Sequence, residues 1–386
     1  MTSSGELSLP GVRPGAKAPV TELQKLMPNN SSTGRDAYLS LSVTLAKPTL
    51  WSSPDHEVAS FEYQLASSQS VPRNVRPTLN GNSHGVPREL SVIESRESTI
   101  ISGDGFEFSF DSARGGLRSW ISKQRTLLEP DPENGAALYP SFWRPATDND
   151  VPLSLPYWKR FGLDQLTSQL RSMSADKADP HAIVVRAHTF FSAPVLAWGW
   201  DCEMEYTIKS DGSLRAYATR MTPSGYKPTH VPRIGFNLRL SKALSEVQWF
   251  GHGPGESYPD KNAAARTNIW KQSVPQMQVS YDVPQENGNR GRTRWVEVTE
   301  PGESLTGIRA IRIGDESFFD FAASHHSAQT IQNAKHPDDL VEDDATLLRL
   351  DAKVAGVGTA ACGPGVREDL LVKCEEISFG FELRSL

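Results

Sequence analysis

Cysteine is scarce: the 386-residue chain has three, Cys202, Cys362 and Cys374. Their spacings fit neither a disulfide framework nor a zinc site. No apolar run approaches the length needed to span a bilayer. Basic blocks are also missing, with 40 Lys and Arg against 46 Asp and Glu and a net charge of -6. Nucleic acid and anionic membrane are therefore not expected as partners. The opening Met1-Thr2-Ser3-Ser4-Gly5 lacks the cationic and apolar segments of a secretory signal. We expect a soluble, cytoplasmic chain. Sustained helical periodicity, internal repeats and any long alternation of strand with helix are absent too, which excludes a (β/α)8 barrel.

What remains reads almost entirely as strand. A chain this long predicts two or three domains and a large buried core. Leu39, Leu41, Val43 and Leu45 alternate as a half-buried strand, and Phe61, Tyr63 and Leu65 repeat the pattern. Two or three strands cannot close a sandwich, so residues 1–70 predict part of a β-domain with open edges. Pro72, Pro77, Asn80, Gly81, Asn82 and Pro87 make 71–98 a linker. From 99 to 386 the pattern predicts a large antiparallel all-β sandwich or barrel. Phe106, Phe108 and Phe110 alternate before one turn. Met204, Tyr206 and Ile208 lead into a hairpin at Ser210-Asp211-Gly212-Ser213, and Leu214, Ala216 and Ala218 leave it. Ile377, Phe379, Phe381 and Leu383 form the last strand, and a short helix is expected over His326 to Ala334.

The chain is organised around residues 249–294. A strand ends at Phe250 and runs into Gly251-His252-Gly253-Pro254-Gly255-Glu256-Ser257-Tyr258-Pro259-Asp260-Lys261, a loop that only glycine and proline can shape. Tyr281-Asp282-Val283-Pro284-Gln285-Glu286-Asn287-Gly288 follows. With Phe142-Trp143-Arg144-Pro145-Ala146-Thr147-Asp148-Asn149-Asp150 and Gly356-Val357-Gly358-Thr359-Ala360-Ala361-Cys362-Gly363-Pro364, these make four motifs in order. Together they resemble the C-terminal, small-chain region of lacZ-type family 2 β-galactosidases, in the form used by fungal members.

The resemblance implies a galactose-mutarotase-like supersandwich over 99–386, preceded by the second half of an immunoglobulin-like domain. A start within that domain suggests a fragment of a longer enzyme. The family's catalytic glutamates lie in a (β/α)8 barrel, and that barrel typically holds Mg and Na. This chain is accordingly expected to carry no catalytic residue and no cofactor of its own, and to need a barrel-bearing chain or domain as partner. Its own contribution would be one wall of the mouth that takes a β-galactoside, lactose for example. Cys362 and Gly363 correspond to a stretch where bacterial members place a Trp beside the aglycone. Pro156-Tyr157-Trp158-Lys159-Arg160-Phe161-Gly162 resembles a loop near the active site, which makes Trp158 and Gly162 candidate substrate-binding residues, Gly162 as a hinge.

Other patterns read as structural. Pro254 and the absence of Gly-Lys-Ser/Thr exclude a phosphate loop at 251–255. His325, His326 and His336 lack metal-ligand spacing, and Asp148-Asn149-Asp150 reads as a turn closed by its side chains. Asn29-Asn30-Ser31-Ser32 would accept glycans only on a secreted chain. Glu256 and Glu286 read as loop anchors. Three functions stay open: a β-galactosidase component, a silent carbohydrate-binding or structural module, and an aldose mutarotase, for which His325 and Glu286 are the conceivable acid and base.

Overall fold

The computed structural model describes residues 5–7, 11–20, 37–66, 88–302, 306–360 and 362–386. The chain divides into two compact units, Met1–Gln69 and Ser70–Leu386.

In the first unit the described residues form one antiparallel pair, Ala37–Thr44 with Glu57–Ala66. Leu39 lies opposite Tyr63 and Leu41 opposite Phe61, which gathers the apolar residues on one face. Phe61 and Tyr63 remain 52% and 55% exposed, since among the described residues no second layer covers this sheet. The region read as linker lies largely outside the described residues. Its last part is not linker: Ser91–Glu94 pairs with Ser98–Gly103, so the large sheet begins before residue 99.

The second unit is built from two large antiparallel sheets, as the alternating pattern predicts. The nine-stranded sheet runs from Arg266–Ser273 through Glu246–Gly253, Trp295–Thr299, Gly307–Ile313, Ile377–Ser385, Leu214–Gly225, Trp198–Lys209 and Ala182–Ser192 to Thr167–Asp179. The ten-stranded sheet runs from Arg290–Thr293 through Phe319–Ser324, Ala345–Val354, Arg233–Ser241, Arg125–Leu128, Leu117–Ser122, Phe106–Asp111 and Ser98–Gly103 to Ser91–Glu94, with Leu138–Ser141 beside it. The expected hairpin forms in register, Tyr206 opposite Ala216 and Ile208 opposite Leu214. The Asp211 carboxylate accepts from the Ser213 amide at 2.9 Å and closes its turn.

The core lies between the sheets, where inward residues of each strand meet. Phe236 packs on Phe379 with ring centroids 4.7 Å apart, and Phe110 on Tyr206 at 5.3 Å. Phe142 stacks flat on Trp200 at 4.6 Å. Helices are short and peripheral. The expected one spans Ala328–Asn333, begun by Ser327, whose hydroxyl accepts from the Thr330 amide. A further helix, Ser154–Arg160, has no side-chain cap and only seven residues, too little pattern to be read in advance. Among the described residues, no helix is long and apolar enough to cross a membrane.

Trp200 is fully buried, so Trp200→Ala should lower unfolding free energy by about 3–5 kcal/mol in urea denaturation. Val341→Ala, at a largely exposed position, should stay within about 0.5 kcal/mol of wild type.

Candidate functional site

Two neighbouring strands of the ten-stranded sheet alternate apolar with ionic residues. Ile234, Phe236, Leu238 and Leu240 enter the core, as do Leu348, Leu350 and Ala352. The intervening positions place Arg233, Asn237, Arg239, Arg349 and Asp351 on the opposite face. In an ordinary sandwich that face would meet water. Here Arg233 and Asp351 are fully buried. Arg233 Nε donates to Asp351 Oδ1 at 2.6 Å, and its Nη1 reaches Asn237 Oδ1 at 2.7 Å and Ser141 Oγ at 3.0 Å. Gly235 makes the arrangement possible, because a Cβ there would stand 2.2 Å from the Asp351 carboxylate. Burial pushes Asp351 upward in pKa, against the pull of Arg233 and Arg349.

Loops cover this face and bring the matching charges. Glu286 lies flat against Arg349, its Oε2 taking Nη1 at 2.7 Å and its Oε1 taking Nη2 at 2.5 Å. The Tyr258 hydroxyl donates to the same carboxylate at 3.1 Å. Burial alone would raise Glu286; Arg349, with Arg144 and Arg233 behind it, reverses that and holds the carboxyl below its usual range. Arg144, also fully buried, donates to Asp150 at 2.7 Å and to the Gly356 carbonyl at 3.3 Å, with its guanidinium 5.2 Å from the centre of the Trp158 ring. The buried Arg144 and Arg233 and the half-buried Arg349 are thus matched by Asp150, Asp351 and Glu286.

The four motifs are tied to one another. The Glu256 carboxylate accepts from Lys261, from the Tyr281 hydroxyl at 2.7 Å and from the Gly288 amide at 2.9 Å. Ser257 and Asn289 exchange bonds, Ser257 N to Asn289 O at 2.8 Å and Asn289 Nδ2 to Ser257 O at 2.7 Å. The Asp148 amide donates to Gln285 and the Asn149 amide group to the Gly358 carbonyl. Asp260 accepts from the Val357 and Gly358 amides, both at 2.8 Å, and so anchors the last motif to the first. Beyond that anchor the chain turns tightly, Cys362 N donating to Thr359 O and Thr359 Oγ1 to Pro364 O. Cys362 and Gly363 are exposed at its tip.

Residues 102–383 match the sequence model of the beta galactosidase small chain, and residues 1–66 that of beta-galactosidase, domain 4. The chain belongs to the β-galactosidase small-chain family. The beta-galactosidase of Kluyveromyces lactis is 29% identical over 297 residues, covering 77% of this chain and 28% of its own length. That of an Arthrobacter species is 26% identical over 372 residues, covering 91% of this chain and 33% of itself. The chain therefore spans about a third of the curated relatives it matches. A galactose mutarotase-like protein of Clostridium acetobutylicum covers 77% of this chain and 99% of itself at TM-score 0.42 and 9% identity, too loose a likeness to argue from.

Within this small chain, the residues singled out from sequence separate into two sets. Cys362 and Gly363 stand at the surface. Trp158 does not: at 2% exposure its indole packs under Arg144 and against Trp143, and it offers no free face to a sugar. That corrects the expectation of a substrate contact, since an amphipathic helix of seven residues turns its largest apolar group inward. Gly162, at φ +61, ends that helix in the left-handed region, and a Cβ there would meet that of Ala193 at 2.5 Å. It is a packed joint. Glu256 and Glu286 anchor loops. His325 is buried, its Nδ1 3.1 Å from the Ala345 carbonyl. Asp150 serves Arg144, and among the described residues no group of three or more His, Cys, Asp or Glu is placed to hold a metal ion. Arg233, Arg349 and Asp351 escaped the sequence reading; their one signal is charge at alternate positions of strands otherwise rich in Leu and Phe.

Removing one partner of a buried bidentate pair strands the other charge. Glu286→Gln should cost about 3–5 kcal/mol in urea denaturation, and Glu286→Leu with Arg349→Met should recover much of it. Because the Glu286 pKa is lowered on folding, its stabilisation is present above the unfolded carboxylate range and is lost as pH falls through the folded value.

Asp320 behaves oppositely. The residue is half-buried, but protein surrounds its carboxyl; desolvation, with Asp351 nearby, raises it to about 7 while an Asn289 amide bond at 3.2 Å opposes the rise. The folded state then holds a proton that the unfolded state has released. Asp320 should erode stability as pH climbs from about 4 to about 7. Asp320→Asn should flatten that part of a stability-against-pH curve.

Proposed function

We propose that this chain is the C-terminal component of a β-galactosidase, acting on terminal β-galactosides such as lactose once a chain or domain bearing a (β/α)8 barrel joins it. In this reading it shapes the active-site mouth and is inactive alone. The observation that carries the reading is the commitment of its loop glutamates. A retaining glycosidase needs two carboxyl groups about 5–5.5 Å apart, one to donate a proton and one to attack the anomeric carbon. Glu286 gives both oxygens to Arg349, and Glu256 is taken up by Lys261, Tyr281 and the Gly288 amide. Neither is free for chemistry on a sugar.

Cys362 and Gly363 are the proposed sugar-facing residues, on a loop fixed by Asp260 and leaving a small, soft surface at the aglycone side. Mg and Na would belong to the barrel partner. A cytoplasmic setting suits three cysteines that are all free thiols. A mutarotase is disfavoured, because Glu286 and His325 are each bonded elsewhere. A silent carbohydrate-binding module is the second reading.

Hydrolysis of a chromogenic β-galactoside by the purified chain, alone and mixed with a barrel-bearing fragment, tests this. Activity in the mixture only is expected, with Cys362→Ala then changing KM more than kcat. Activity of the chain alone would overturn the proposal; silence in both would favour the binding module.

A further inference from the structure

Away from the loop cluster, the end of the ten-stranded sheet near Ser98–Gly103 holds a cavity of about 590 Å³. Three arginines from three segments line it. Arg96 comes from the turn after Ser91–Glu94, Arg114 from the turn after Phe106–Asp111, and Arg118 from the strand Leu117–Ser122. Elsewhere in the chain most arginines on the sheets have a carboxylate within reach, as in Arg186 with Glu205 and Arg309 with Glu297. Among the described residues Arg96, Arg114 and Arg118 make no ion pair. Asp111 and Glu97 also line the cavity, leaving an excess of one positive charge among these five. One Asp111 oxygen is already used, accepting from the Ala113 and Arg114 amides at 2.9 Å.

Arg114, exposed like Arg96 and Arg118, lies against the loop that ends at Gly135. Its Nη1 lies 2.0 Å from where a Cβ on residue 135 would stand, and Gly135 has φ +77. The loop Pro130–Gly135 leaves that space empty, and the guanidinium occupies it. A guanidinium is a planar fork of donors matched to the oxygens of a phosphate or sulfate group. The cavity is larger than a bare oxyanion needs and falls within the size range of small-molecule sites.

We propose that this cavity binds a phosphorylated small molecule, such as a hexose monophosphate, through Arg96, Arg114 and Arg118. The site shares no residue with the loop cluster, so it stands whether or not the chain joins a barrel partner.

Isothermal titration of the full chain with hexose monophosphate and with inorganic phosphate, at constant ionic strength against chloride, tests the proposal. The expected result is one saturable site for the hexose monophosphate, weakened about tenfold or more by Arg114→Gln or Arg118→Gln. Arg125→Gln, an exposed arginine outside the cavity, should bind as wild type. Tighter binding of the sugar phosphate than of phosphate assigns the larger ligand, and equal binding assigns the free ion. No saturable binding beyond chloride, or binding untouched by both cavity variants, would overturn it. Thermal melting of each variant separates a lost site from a lost fold.

Discussion

A guanidinium taken out of water must be met by a carboxylate, as for Arg144 and Arg233, or by carbonyl and amide oxygens, as for Arg290, and this requirement organises the second unit. The ten-stranded sheet places Arg233, Arg349 and Asp351 on its outer face, under loops that would otherwise cover them with uncompensated charge. Glu286 resolves the imbalance by binding Arg349 through both oxygens. Asp150 does the same for Arg144 from the other side. Isolated burial of such groups is prohibitively unfavourable, whereas paired and hydrogen-bonded they impose one geometry on the segments that carry them. The loops are therefore positioned by electrostatic necessity as much as by their glycines and prolines.

This arrangement also limits chemistry. Glu286, with both oxygens bonded and its carboxyl held below the usual range, is the opposite of the poised, partly free acid that general catalysis needs. The cluster thus behaves as scaffold, with its acids spent on holding loops and its exposed tip left to small, uncharged residues. Membership of the β-galactosidase small-chain family agrees with a chain that matches about a third of the length of its curated relatives.

Much of the fold was legible in advance because its strands alternate. Met204, Tyr206 and Ile208 announce their face, and Ser210-Asp211-Gly212-Ser213 announces the turn. Ser327 and the short run after it announce one helix. The strand Ser91–Glu94 was lost among the prolines and glycines before it, since four residues give too little alternation to outweigh them. The four motifs were visible, but not their meeting. Arg233 and Asp351 are 118 positions apart, and no local pattern says that loops will cover the face they share. Trp158 failed as a site residue for a related reason: a motif fixes where a loop lies, whereas packing decides which of its side chains points outward.

The central claim is that the four motifs form one cooperative unit locked by buried charge pairs. Native-state hydrogen exchange at the Gly288, Gly291, Val357 and Gly358 amides addresses it directly, because each donates across motifs or within the lock. All four should exchange through a shared opening with one free energy, and Glu286→Gln should lower that energy for all of them alike. Independent, faster opening of Val357 and Gly358, indifferent to Glu286, would contradict it.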